Sequence, residues 1–299
     1  MSVLLLALGL DLLVGEPPNR WHPVAWVGRL LDLGWRLSRA SRPFGLMVSG
    51  GGVLLLVVGV AAVASWVAGR LGWPGLFLEA ALLKYTFSLR GLVGAAGEVR
   101  QGLAVEDLVA ARQRVGWHLV SRPTETLSAG EVASATVESV AENLTDSVVA
   151  PLFFFLLGGL PGAWAYRVVN TADSMWGYRE GRLEYWGKPA ARLDDLMNWI
   201  PSRVAALAIV LGALVAGESA TRAWRTMWRE HGRTVSPNAG WTMAAMAGAL
   251  GVALEKPGVY RLGSGSLPGV EAIGRAVRVV VGASGFAVAA SLVVAALGR

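Results

Sequence analysis

The chain has 299 residues, of which 54% are hydrophobic and 16% charged, with a mean hydropathy of +0.49 and a formal net charge of +6. That composition excludes an ordinary soluble globule and points to a lipid bilayer. The absence of cysteine excludes disulfides, thiolate catalysis, zinc fingers and iron–sulfur clusters, so any chemistry must use oxygen and nitrogen ligands. Nearly all the positive charge is arginine, with lysine only at 84, 188 and 256. Arginine suits bidentate recognition of phosphate or carboxylate. Nucleic acid is not an expected partner.

Residues 1–14 are apolar, lack a basic leader region and are interrupted by Asp11, which predicts a short, retained membrane segment rather than a cleaved signal. Pro17 and Pro18 end it. Asp11 and Glu16 bracket that break, either as capping acids of a turn or as carboxylates that meet a cation or an amine. His22 is a candidate acid, base or binding residue, and equally a hydrogen-bonded structural histidine. Five arginines between Arg20 and Arg42 mark a cytoplasmic loop ahead of a span at 49–68. A second span is predicted at 278–297 and a third at 200–217, each near the length that crosses about 30 Å of hydrocarbon. Residues 76–99 read as one amphipathic helix in which Glu79 and Lys84, five apart, must find partners elsewhere. An amphipathic helix follows at 106–119. Arg122-Pro123 breaks the chain, and Ser128 with Glu131 forms a capping box that opens the next helix.

That helix carries the candidate chemistry. Glu138, Glu142 and Asp146 recur every four residues and so share a face, with Ser139 and Asn143 beside them. Like charges at this spacing repel, and a bound cation would relieve them; an all-oxygen set favours Mg²⁺. A solvated acidic face is the alternative. The adjoining apolar run, 147–169, is divided by Pro151 and by the glycines and proline of 158–162 into pieces too short to cross separately, which predicts a broken or re-entrant pair. Beyond it Asn170 and Asp173 share a helical face, with Tyr178 and Arg179 just past them, so that the hairpin would join two half-sites. Asp194, Asp195, Asn198 and Arg203 stand at the mouth of the next span, as a site or as a charged interfacial collar. Arg222, Arg225, Arg229 and Arg233 would lie outside on simple alternation, against the positive-inside rule, so at least one apolar segment does not cross. Ser236 and Asn238 introduce a small-residue helix. The glycine-rich run 263–269 follows no predicted strand and lacks a phosphate-loop lysine, and reads as a linker.

Walker A, Rossmann, HExxH and nucleophile-elbow patterns are absent from the sequence. Carboxylates, arginines and asparagines at a membrane mouth suit phosphoryl chemistry, in which the protein positions Mg²⁺ and neutralises phosphate. A transporter or sensory membrane protein could use the same groups as an ion relay.

The ordered segments DLLVGEPPNRWHPVAWVGRL, KYTFSLRGL, LVSRPTETL, ESVAENLTDSVVAPLFFFLLGG, PGAWAYRVVNTADSMWGYR, RLDDLMNWIPSR and SPNAGWTMAAMAGALGV span residues 9 to 252. Together they closely resemble the adenosylcobinamide-phosphate synthase family of membrane cobalamin-biosynthesis proteins. The resemblance implies an ATP- and Mg²⁺-dependent ligase that joins a propionate carboxyl of adenosylcobyric acid, a corrinoid, to 1-amino-2-propanol or its phosphate. It implies roles for Glu138, Glu142 and Asp146 in holding Mg²⁺, with Asn143 beside them. Arg122, Arg179 and Arg203 would clamp phosphate, Asn170, Asp173 and Asp195 would position substrate or a second metal, and Asn198, Ser236, Asn238 and His22 would help bind it. The chain departs from the family's Gly-Asp-Pro-Pro turn at Glu16 and from its Gly-Arg-Asp-Thr motif at Ser121 and Pro123. Pro123 cannot perform any duty of that aspartate. The expected fold is all-α: a polytopic integral membrane bundle with broken or re-entrant segments, one domain over 1–299 with cytoplasm-facing insertions at about 96–146 and 170–199. The expected setting is the inner cell membrane with the site facing the cytoplasm, and a second copy of the chain or other corrinoid-assembly enzymes are candidate partners.

Overall fold

The structure, a computed structural model, describes residues 1–297, with the backbone alone at 72–74. In chain order it forms α1 (Ser2–Leu13), α2 (Pro23–Leu37), α3 (Pro43–Ala68), α4 (Gly72–Lys84), α5 (Leu89–Ala104), α6 (Leu108–His118) and α7 (Ala129–Leu144). A π-helical turn (Thr145–Val149) leads into α8 (Ala150–Trp176), α9 (Leu183–Trp186), α10 (Lys188–Met197), α11 (Trp199–Val215), α12 (Ala220–Glu230) and α13 (Ala239–Leu250). The strands β1 (Ala253–Lys256) and β2 (Tyr260–Gly263) precede α14 (Val270–Leu297). The chain divides into two compact units. The first comprises Met1–Ser88, Ala150–Asn198 and the residues from Ser291 onward; the second comprises Leu89–Val149 and Trp199–Ala290.

Length and apolarity make α3 and α14 membrane-spanning helices. Only 22% of the apolar window of α3 and 33% of that of α14 is buried, so most of each surface faces outward, as lipid contact requires. Pro43 starts α3 at a position where its missing N–H removes nothing. A third hydrogen-bonded run, Ala129–Trp176, is 48 residues long, but it is not one rod. Gly159 sits at φ 61°, ψ −155°, a region open essentially to glycine alone, and Gly158 is also non-helical. The chain reverses there. Phe154 and Tyr166 stack with ring centroids 5.3 Å apart, whereas twelve residues of straight helix would separate them by about 18 Å. Gly162 permits the close return, since a Cβ there would overlap the Phe154 carbonyl oxygen. The predicted re-entrant pair is therefore a helical hairpin inside the first unit. The fold is an all-α, multi-span membrane protein.

Three sequence-based expectations need correction. The segment 76–99 is two helices, α4 and α5, separated at Tyr85–Ser88, where the Thr86 hydroxyl bonds back to the Leu83 carbonyl at 2.7 Å and competes with helix continuation. The span expected at 200–217 is the 17-residue α11, Trp199–Val215, which begins and ends earlier than expected and forms with α10 an apolar helix pair bent by 48° at Asn198. Ahead of the expected linker at 263–269 lies an antiparallel hairpin, Ala253 opposite Gly263 and Lys256 opposite Tyr260. Four-residue strands are too short for the alternation that reveals a strand in sequence.

In the second unit the buried core helix is α13, every residue of which is buried. Its small side chains let neighbouring backbones approach, and Gly251 closes it in the left-handed conformation at φ 68°. The same unit contains α7, whose start carries the predicted capping box: Ser128 Oγ accepts from the Glu131 N–H, and Glu131 Oε2 accepts from the Ser128 N–H at 2.7 Å.

Candidate functional site

In the second unit the β-hairpin is docked on α7 by side chains that the sequence does not place together. Ser134 Oγ accepts from the Glu255 N–H at 2.8 Å and donates to Glu138 Oε1 at 2.6 Å. From β2, Tyr260 Oη donates to Glu138 Oε2 at 2.6 Å. Glu138 is only 5% exposed, so its charge is tolerable because both oxygens are hydrogen-bonded. Burial, then the Glu138 carboxylate, pushes the Tyr260 hydroxyl above the ordinary tyrosine range, and it therefore stays protonated as a donor.

This pair forms one wall of a cavity of about 170 Å³ that Arg122, Ser139, Glu142 and Lys256 also line. Glu142 is exposed and Arg122 and Lys256 are half-buried. Among the described residues, neither the Arg122 guanidinium nor the Lys256 ammonium makes a hydrogen bond or an ion pair. Asn143 donates to the Ser139 carbonyl at 2.9 Å and so braces the helix. Asp146 lies in the π-helical turn, where i→i+5 bonding breaks the four-residue register that relates it to Glu138 and Glu142. Among the described residues no three His, Asp or Glu side chains gather closely enough to hold a metal by themselves. Two carboxylates and the Ser139 hydroxyl around one cavity remain a fitting partial shell for Mg²⁺, which takes one or two carboxylates and leaves the rest to water and phosphate.

Other candidates of this unit serve different partners. Arg203 Nη1 donates to the Trp199 carbonyl, to Ser202 Oγ and to Asn238 Oδ1 at 3.1 Å, with its guanidinium over Trp199 and Trp241 at 4.6 and 4.8 Å. Ser236 Oγ accepts from the N–H groups of Asn238 and Ala239, which opens α13. Arg203, Asn238 and Ser236 are thus brought together as a brace between α11 and α13.

The first unit holds a second polar cluster, around Asp194. Asn170 Nδ2 donates to Asp194 Oδ1 at 3.3 Å, and Asn198 Nδ2 to Asp194 Oδ2 at 2.9 Å. Arg167 Nη1 donates to Asn170 Oδ1 at 3.1 Å and its Nε to the Thr86 carbonyl at 2.8 Å, while Tyr166 Oη donates to Asn198 Oδ1 at 3.0 Å. Asp173 is half-buried near the end of α8, and Arg179 and Asp195 line a separate cavity of about 250 Å³ with Lys188 and Arg192. The N-terminal carboxylates meet an amine of the chain itself: Lys84 Nζ lies 2.6 Å from Glu16 and 3.8 Å from Asp11, which is 1% exposed. His22 caps α2 by accepting at Nδ1 from the Val24 N–H, which leaves Nε2 to donate to Glu16 at 2.8 Å. Burial raises the Glu16 pKa, but the hydrogen bond from His22 and the adjacent Lys84 and Ser88 side chains outweigh it and hold the carboxyl at about 2.

Tyr260, Lys256, Ser134, Arg167 and Tyr166 were not predicted as site residues. Tyr260 meets a carboxylate 122 positions away, and no local spacing signals that. Asp194, by contrast, stood in the predicted collar beside Asp195.

A family model described as "CobD/Cbib protein" matches residues 4–280. A cobalamin biosynthesis protein CobD of Dehalococcoides mccartyi is 44% identical over 273 residues, covering 90% of this chain and 88% of that protein. A probable cobalamin biosynthesis protein CobD of Methanothermobacter thermautotrophicus is 46% identical over 267 residues, covering 88% and 86%. A cobalamin biosynthesis protein CbiB of Salmonella typhi is 39% identical, covering 84% and 81%. No solved structure matches the chain.

Proposed function

The chain belongs to the CobD/CbiB family of cobalamin-biosynthesis proteins, and from that premise we propose that it is an ATP- and Mg²⁺-dependent amide ligase acting on a corrinoid acid. In the proposed reaction a propionate carboxylate of adenosylcobyric acid attacks the γ-phosphorus of ATP, and ADP leaves. The amine of 1-amino-2-propanol or its phosphate then attacks the acyl carbon. The C–N bond forms, the bond from carbon to the phosphate oxygen breaks, and the amine's proton leaves with the phosphate.

The observation that carries this reading is the cavity of the second unit, which Arg122 and Lys256, without a hydrogen bond or ion pair among the described residues, line together with the carboxylates Glu138 and Glu142. Arg122 and Lys256 bind phosphate oxygens, for which charge-assisted hydrogen bonds are strong. Glu142, with Glu138 beside it, would hold Mg²⁺, which when bound neutralises charge on the transferring phosphoryl group. Ser134 and Tyr260 fix the Glu138 carboxylate, so that it does not swing onto the neighbouring cations.

The test is detergent-solubilised protein incubated with adenosylcobyric acid, Mg²⁺, ATP and aminopropanol phosphate, with the corrinoid carboxyl labelled with oxygen-18. The reading expects the mass of the amide and one labelled oxygen in released phosphate. ATP left intact with the corrinoid unchanged would overturn it.

A further inference from the structure

The second unit carries a larger groove, of about 750 Å³, between α6 and the loop 122–125, lined among others by Arg112, Arg114, Trp117, His118 and Arg122. It is a built surface. Asp107 caps the start of α6 by accepting from the Ala110 N–H at 2.9 Å, and Thr124 Oγ1 donates to the Arg112 carbonyl at 2.9 Å, which fastens the loop along the helix. Arg112 Nε donates to the Leu127 carbonyl at 2.7 Å and Arg114 Nη1 to the Glu98 carbonyl at 2.8 Å, so both guanidiniums are oriented in advance. Three guanidiniums line the groove against one carboxylate, Glu125. Within this basic hollow the Trp117 indole is 84% exposed, although a ring of that size is ordinarily well buried.

We propose that this groove seats the nucleoside end of a nucleoside triphosphate, with its base stacked on Trp117 and its phosphates running to Arg122. The proposal rests on the ligase reading above. Arg122 carries the connection, because it lines both this groove and the smaller cavity that holds Glu138, Glu142 and Lys256. An aromatic face takes any base by stacking, and flanking guanidiniums supply the complementary charge.

The experiment is photoaffinity labelling of the detergent-solubilised full chain with 8-azido-ATP and Mg²⁺, with labelled peptides mapped by mass spectrometry. The expected label falls within 109–125 and is displaced by ATP but not by equal tripolyphosphate. In ligation assays Trp117→Ala should raise the ATP KM about tenfold, with the KM for aminopropanol phosphate unchanged and Trp117→Phe restoring the value. Label elsewhere while ligation proceeds would overturn this seat and leave the ligase reading standing. Equal displacement by tripolyphosphate, or an unchanged KM in Trp117→Ala, would remove the base from the groove. Absence of both labelling and ligation would overturn the ligase reading, and this proposal with it.

Discussion

Around Asp194 in the first unit each carboxylate oxygen accepts from an asparagine amide, and those amides are held in turn by Arg167 and Tyr166. Around Glu138 in the second unit the carboxylate is equally filled, by Ser134 and Tyr260, yet Arg122 and Lys256 line the same cavity without a hydrogen bond or ion pair. The difference separates two uses of polar groups in one chain. A closed network satisfies buried donors and acceptors and so fixes helices against each other. Cations left without a hydrogen bond or ion pair beside a positioned carboxylate have as their complement an anionic ligand with its cation.

The contrast can be broken in several ways. The largest expected effect is in Glu142→Gln, which should lower ligation about 10³-fold. Normal turnover in that variant would remove Glu142 from the chemistry. Asp194→Ala strands the amides of Asn170 and Asn198; at about 1–3 kcal/mol for each unsatisfied buried donor, it should lose about 2–6 kcal/mol of stability, read by denaturant unfolding in detergent. Full stability with lost turnover would show that the closed cluster belongs to the chemistry instead. Tyr260→Phe keeps the ring and removes one bond to Glu138, so turnover should fall about tenfold and stability by about 1 kcal/mol. The smallest effect concerns Glu16, a closed site like Asp194. Its folded pKa of about 2 lies below the ordinary 4.5, so the ionised carboxylate stabilises the fold at pH above 4.5, and that stability is lost as pH falls toward 2. Melting temperature should therefore drop from about pH 6 to about pH 3 more steeply in the native protein than in Glu16→Gln, and equal slopes would contradict the assignment.

Much of the fold is legible in the sequence because its signals are local. Apolar length announces the spans around α3 and α14, Ser128 with Glu131 announces the start of α7, and glycines at 158 and 159 announce the reversal in α8. The lost Glu79–Lys84 pairing is also legible, as spacing; that Lys84 turns to Glu16 is a tertiary fact. The candidate site is only half visible. Glu138 and Glu142 stand out by periodicity, but their partners Tyr260 and Lys256 arrive on strands too short to show alternation, and the π-helical turn that displaces Asp146 has no signature in the spacing of acids. Asn170 and Asn198 stand out in the sequence as polar groups at a membrane mouth, and nothing short of the folded hairpin shows that one carboxylate, Asp194, takes both.

The central claim is that Arg122 and Lys256 are held open for phosphate, and binding of ATP with Mg²⁺ to the full chain in detergent, compared between the native protein and Lys256→Met by isothermal titration, tests it most directly. Loss of one charge-assisted contact predicts affinity weaker by about 10- to 100-fold, with the unliganded melting temperature unchanged because Lys256 makes no hydrogen bond or ion pair among the described residues. Equal affinity in the two proteins would contradict the account.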